Sequence, residues 1–426
     1  MRTCVLILVL FRTFLPAQTI QDCRKRFEQN LNFHDGLSQR VRFENAAVHI
    51  CSANGTPEIS VYENELMAVS AFLTRSSFAS QSIFWSKKGR KKLSQGSLDS
   101  LLKLSARDQE LHKIGNASFQ ALRVAIDPGH FSTNMKDAAS EQKYLCFKVE
   151  QEGFPYDSVK LFESALTFNT AQLLKSMLEE RGAEVMLSRD MPNHSSFGCS
   201  YGNWFMQHKT RVLDSLVHCG KLSASREKAL LKLKPYNFFW EFFRDFDLQN
   251  RASKINAFSP DITLIIHYNV DEKNAPWTGF SKKDFTMAFI GGVFLPEHLG
   301  KSEMRLNFLR LLFSNQLDES ARLSAHTVKA FHKNLGIPVA TQGDAKYLHE
   351  NCMPLPGTGV YSRNLLMCRQ VNSVLVYGEA LYQDNPQEAA ALMRRDMIYK
   401  GIVTNDRLIR VARSYFEGLE AYLKDK

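Results

Sequence analysis

The chain has no CxxC pair and no regular spacing among its eight cysteines, which argues against a cysteine-built metal site. No internal run is long and apolar enough to span a membrane as a helix. Glycine and proline are few and aperiodic, 22 and 13 of 426 residues, so collagenous and low-complexity chains are excluded. What remains, 44% hydrophobic and 23% charged, is enough for two or three domains with a substantial core. Acid is also in deficit. Lys and Arg number 54 against 44 Asp and Glu, a formal charge of +10, which permits a polyanionic partner. The densest basic run, Lys87, Lys88, Arg90, Lys91 and Lys92, lacks interleaved aromatics and does not read as a nucleic-acid surface.

Arg2 followed by the apolar residues 4–11, and then Phe14-Leu15-Pro16-Ala17, is the pattern of a secretory signal peptide cleaved near Ala17. Export to the periplasm or cell envelope is therefore expected. Losing residues 1–17 leaves a charge of +8 and seven cysteines. An odd count leaves at least one thiol unpaired, and Cys23 with Cys51 is the nearest candidate pair.

Residues 18–120 alternate short β-like runs (41–43, 48–51, 59–61 and 68–72) with Gly, Asn, Pro and Ser, the pattern of a small β-rich N-terminal region of unassigned role. From residue 121 the rhythm changes. Strands are expected at 122–126, 184–187, 261–266 and 373–377, and helices at 159–181 (Ser158 as N-cap), 245–258, 316–334, 387–398 and 406–423. That alternation predicts an α/β fold, a mostly parallel sheet flanked by helices. Residues 121–426 would form the catalytic domain. Two stretches, about 191–243 and 271–315, break the alternation and read as insertions. The first is helical and aromatic-rich, through Phe238, Phe239, Trp240, Phe242 and Phe243, and covering the core is the commoner use of such residues.

Chemistry gathers at the strand ends. Asp127-Pro128-Gly129-His130 follows the first strand and His267-Tyr268-Asn269 the third, which places both histidines in the crevice where open α/β sheets bind ligands. Glu163 lies early on the intervening helix, at the same edge, and Glu379 closely follows the 373–377 strand. Two histidines and one carboxylate are how catalytic zinc is commonly held with a position left for water. Imidazole suits zinc better than calcium or magnesium. Glu379, outside the metal shell, is the candidate proton carrier, and Asp127 a candidate brace for His130. The remaining histidines, His326, His332 and His349 among them, lack such placement and read as surface residues.

At these residues the chain resembles the zinc-dependent N-acetylmuramoyl-L-alanine amidases that remodel bacterial cell walls. The matching pieces run in order: Ile126-Asp127-Pro128-Gly129-His130; Glu163; Ser188-Arg189-Asp190; Arg251, Asn256 and Asp261; His267-Tyr268-Asn269; Gly359, Leu366 and Arg369; Val374-Leu375-Val376; Glu379 and Asn385. They cover roughly residues 121–423. The resemblance implies Zn2+ on His130, Glu163 and His267, Glu379 as the catalytic acid and base, and support from Asp127, Arg251 and Asn269. It also implies peptidoglycan as substrate, with a protein activator as a further expected partner. Two rivals stand beside it, an inactive wall-binding relative and a zinc peptidase acting within the stem peptide. The chain departs from the family in two places. Phe131 follows the first histidine where the family usually has Gly, and 33 positions separate His130 from Glu163. Counting forward from Val376 puts Tyr377 where the family's glutamate usually stands, whereas counting back from Asn385 selects Glu379.

Overall fold

The computed structural model describes residues 18–109, 119–150, 152–274 and 277–425; the expected signal peptide lies outside them. Three antiparallel strands, β1 (Val41–Phe43), β2 (Ala47–Cys51) and β3 (Pro57–Tyr62), form a small N-terminal sheet. A hairpin of β5 (Tyr144–Lys148) and β6 (Ser158–Phe162) follows β4 (Arg123–Pro128). The central sheet runs β10 (Met353–Leu355), β11 (Val360–Arg363), β9 (Met287–Gly291), β12 (Val374–Tyr382), β8 (Ile262–Asn269), β4, β7 (Glu184–Leu187). Four of its six pairings are parallel; β10 and β9 supply the antiparallel ones. A last hairpin, β13 (Met397–Tyr399) with β14 (Ile402–Thr404), precedes the C-terminal helix Asp406–Lys424.

The inner strands are near-continuous apolar runs because both faces are covered, and alternate residues serve different layers. Val124, Ile126, Leu264, Ile266 and Val376 pack toward helices Glu163–Glu179, Gln316–Leu335 and Asp406–Lys424. Ala125, Ile265 and Leu375 pack with Ala252 and Ile255 of helix Arg244–Phe258. The first of these cores extends without a break into the N-terminal region, through Ile20, Cys23, Phe27, Val48, Ile50 and Val61. Asn30 joins the two covalently distant parts, its backbone oxygen accepting from Val293 N–H at 2.8 Å and its side chain from the Ser362 hydroxyl at 2.7 Å.

Several sequence expectations are corrected. Residues 68–72 are not a strand but part of helix Leu66–Arg75; Ala68, Val69 and Leu73 are buried at helical spacing. The helix expected from residue 159 begins at Glu163, with Phe162 and not Ser158 at the N-cap. Residues 158–162 alternate exposed and buried before their last residue and pair with β5 instead. The helix expected over 387–398 ends at Met393. The stretch 271–315 is no simple insertion, since it contributes β9 to the central sheet. All seven described cysteines are free thiols, Cys23 and Cys51 included. Among the described residues, no helix is long and apolar enough to cross a membrane.

Asp284, in the approach to β9, faces Glu388, which Arg407 grips through Nε at 2.6 Å and also through Nη2. Burial, then the Glu388 charge, raises the Asp284 carboxyl to about 7, whereas an unfolded aspartate titrates near 4. The folded state therefore binds this proton more tightly, and stability is lost as pH rises from roughly 4 to 7. Asp284→Asn is expected to stabilise the fold at pH 8 by about 1 kcal/mol after allowing for partial exposure, read as a higher thermal unfolding midpoint, and to leave the midpoint unchanged at pH 4. Equal effects at both pH values would contradict this.

Candidate active site

Parallel pairing brings the strand ends together. Asp127 and Pro128 of β4 stand beside Ile265 and Ile266 of β8, and His267 stands beside Glu379 of β12. The chain then turns at Gly129, where a Cβ would run into the His267 ring, so only glycine lets the two histidines meet. His130 itself adopts φ +59°, a left-handed conformation uncommon for a residue with a side chain. The carbonyls of this turn are pinned from below: Arg251 Nη1 donates to Pro128 O at 3.0 Å, and Arg189 Nε donates to the same oxygen at 3.0 Å.

The two imidazoles lie edge to face, 4.8 Å between ring centres. Glu163, the first residue of its helix, sits between them, with Oε1 at 3.3 Å from His130 Nε2 and 3.0 Å from His267 Nδ1. Tyr268 N–H donates to that oxygen at 3.1 Å, and the Gln383 amide to the other at 3.4 Å. One ligand atom from each of His130, Glu163 and His267 lies within 4.8 Å of the others. All three residues are largely withdrawn from solvent.

Charge is distributed unevenly. Burial works against a cationic His130, but Glu163 and Glu141 prevail and lift its pKa to about 9. Burial, with His130 adding to it, holds His267 down at about 4 against the pull of Glu163. Glu163 is kept far below the usual carboxylate range because His130 outweighs the cost of its burial. The pocket thus already stabilises one positive charge between two carboxylates. That is an environment suited to a cation.

Glu379 stands outside this trio. Its Oε2 is buried and has no hydrogen-bond partner among the described residues. Burial, then the charge of Glu163, raises its pKa to about 8. Tyr377, two residues earlier on the same face, stacks on the His267 ring at 4.4 Å and 7°. Both residues selected by the rival counts of the motif line the cavity, the Tyr377 ring against His267 and the Glu379 carboxyl without a partner for its Oε2 among the described residues. A register shift between Glu379 and Tyr382 accommodates the extra length of the strand.

The supporting residues differ from expectation in one respect. Asp127 does not meet His130; it accepts from the Ser188 hydroxyl and pairs with Arg251 at 3.4 Å. His130 Nδ1 lies instead 2.9 Å from Glu141 Oε1, while Glu141 Oε2 accepts from Ser132 N–H at 3.0 Å. Such a carboxylate fixes the ring so that Nε2 faces the site. Glu141 ends a seven-residue helix, Met135–Glu141, within the long stretch between His130 and Glu163, where no strand-end logic points to it. Asn269 donates to the Tyr347 hydroxyl at 2.8 Å and acts through that ring. A cavity of about 550 Å3 opens above the histidines. The aromatic insertion supplies one wall: Phe239 and Trp240 line it, while Tyr201, Trp204 and Phe243 form a separate core beneath Phe131.

Residues 124–404, two thirds of the chain, match the family described as N-acetylmuramoyl-L-alanine amidase. The chain belongs to that family and is an enzyme of the peptidoglycan amidase class. Among solved structures, it is similar to the CwlD amidase from Clostridioides difficile, solved in complex with the GerS lipoprotein, at 13% identity and TM-score 0.38, over 72% of this chain and 100% of that one. The amidase Ami1 from Mycobacterium smegmatis gives the same figures. The catalytic domain of CwlV from Bacillus (Paenibacillus) polymyxa var. colistinus is similar at 14% identity and TM-score 0.36, over 72% and 99%. No curated protein sequence matches the chain closely.

Proposed function

We propose that this amidase is a zinc enzyme, exported to the cell envelope, that cuts the amide between the lactyl group of N-acetylmuramic acid and L-alanine in wall turnover or septum splitting. His130, Glu163 and His267 hold the metal, and a protein activator is the partner expected besides peptidoglycan. The observation that carries the reading is the close approach of two imidazoles and a carboxylate beside an unpartnered buried carboxyl. The donor set fits zinc: two nitrogens and one oxygen, around a spot where the protein already accommodates positive charge. Zn2+ bound there would make a water acidic enough to attack near neutral pH and polarise the amide carbonyl.

This chain's residues do the rest. Glu379 takes the proton of the attacking water on its free Oε2 and hands it to the leaving nitrogen. It accepts from water as the carboxylate, and its raised pKa favours the protonated form in which it then donates to the leaving nitrogen. Glu141 holds the His130 tautomer, Arg251 and Asp127 hold the turn that carries it, and Asn269 fixes Tyr347 on the cavity wall. Mass spectrometry of purified sacculi after digestion tests the reading. Glycan ending in free lactyl groups, with intact stem peptides released, is the expected product. Cleavage within the peptide would identify a peptidase, and zinc-loaded protein that releases nothing would be a binding protein.

A further inference from the structure

Four Lys and Arg side chains line the cavity: Lys143, Arg244, Arg251 and Arg363. Arg251 is paired with Asp247 at 2.8 Å. Arg244 is paired with Asp245 at 2.9 Å and stacks on Trp240. Lys143 stands near Glu163 and helps hold its charge. Arg363 is different. It ends β11, which runs parallel to β9 and therefore antiparallel to β12 and β8, so its backbone lies away from the edge where the histidines stand while its side chain lines the cavity wall. Its guanidinium packs on the rings of Tyr347 at 4.8 Å and Phe289 at 5.2 Å. Phe289 touches Tyr377, which stacks on His267. Among the described residues, no carboxylate forms an ion pair with the Arg363 side chain and no acceptor takes a hydrogen bond from it, although it is half-buried.

A partly buried guanidinium normally finds a carboxylate. Here the protein supplies two aromatic faces that fix the plane of the fork and leaves its N–H edge to the cavity. That is the preorganised form in which arginine binds a planar anion through two parallel hydrogen bonds. The scissile amide is neutral, and L-alanine adds only a methyl group on the peptide side. The first anion available to such a fork is thus a carboxylate further along the stem peptide.

Resting on the reading above, we infer that Arg363 is the substrate-binding residue that recognises a free carboxylate on the stem peptide beyond its first residue, making the enzyme selective for muropeptides in which that group is not amidated. The test compares two soluble muropeptides, identical but for a free α-carboxylate or a carboxamide on the second stem residue, with the zinc-loaded full chain and its Arg363→Gln and Arg363→Lys variants. The wild-type protein should favour the carboxylate at least tenfold in kcat/KM, chiefly through KM. Arg363→Gln should bring that ratio close to one, and Arg363→Lys, keeping charge without the fork, should restore part of it. Wild-type protein that cuts both substrates equally, or Arg363→Gln that lowers both rates alike, overturns the inference while leaving the amidase reading standing. Wild-type protein that cuts neither would overturn that reading first. Should Arg363→Gln fail to fold, the wild-type preference and Arg363→Lys decide the matter.

Discussion

Glu379→Gln is expected to retain zinc and lose ~10²–10⁴-fold in kcat, the usual contribution of a positioned acid and base. The substitution is nearly isosteric, and the buried Oε2 has no partner to lose, so folding is spared and proton transfer alone is removed. The comparison that sharpens the result is Tyr377→Phe. Burial, then the charge of Glu379, drives the Tyr377 phenol well above its ordinary range. It stays protonated near neutrality and cannot serve as a base. Loss of its hydroxyl leaves the stack on His267 intact and should cost less than tenfold. Metal analysis with turnover on solubilised wall measures both. Parental activity in Glu379→Gln together with a dead Tyr377→Phe would move the proton transfer to the tyrosine and end the present assignment.

How much of this could be read beforehand depends on whether local pattern or tertiary contact decides each feature. His130 and His267 were legible because each follows an apolar run that can only be a buried strand, and parallel strands present their carboxyl ends together. Glu163 was legible as a helix residue at that edge, although the helix start was misplaced: Val159, Leu161 and Phe162 also fit a helical face, and pairing with β5 tipped them into a strand. The 68–72 run failed in the same way from the other side, a β-like composition overridden by packing. Glu141 and Arg363 were invisible. One meets its histidine through a short helix in an unpatterned stretch, and the other is defined by the rings beneath it and the missing partner above it, neither of which leaves a periodic trace.

His130→Ala is expected to release the metal and reduce activity roughly 10³-fold or more, since a bound cation supplies several kcal/mol at the reacting carbonyl. The argument is electrostatic as well as geometric. Without the His130 charge, Glu163 and Glu141 face each other's site as buried carboxylates with one fewer counterion, so the variant's metal-free form should also melt earlier. Glu141→Gln gives the intermediate case. It leaves the three ligand atoms in place but removes the acceptor at His130 Nδ1, and zinc affinity should fall about 10- to 100-fold, as when other outer partners of ligating histidines are removed. The exposed His349, replaced by alanine, should change neither metal content nor rate. Competition with a chromogenic chelator ranks the series, wild type and His349→Ala above Glu141→Gln above His130→Ala. Metal-free His130→Ala with full amidase activity would mean that hydrolysis on this scaffold does not pass through the paired histidines at all.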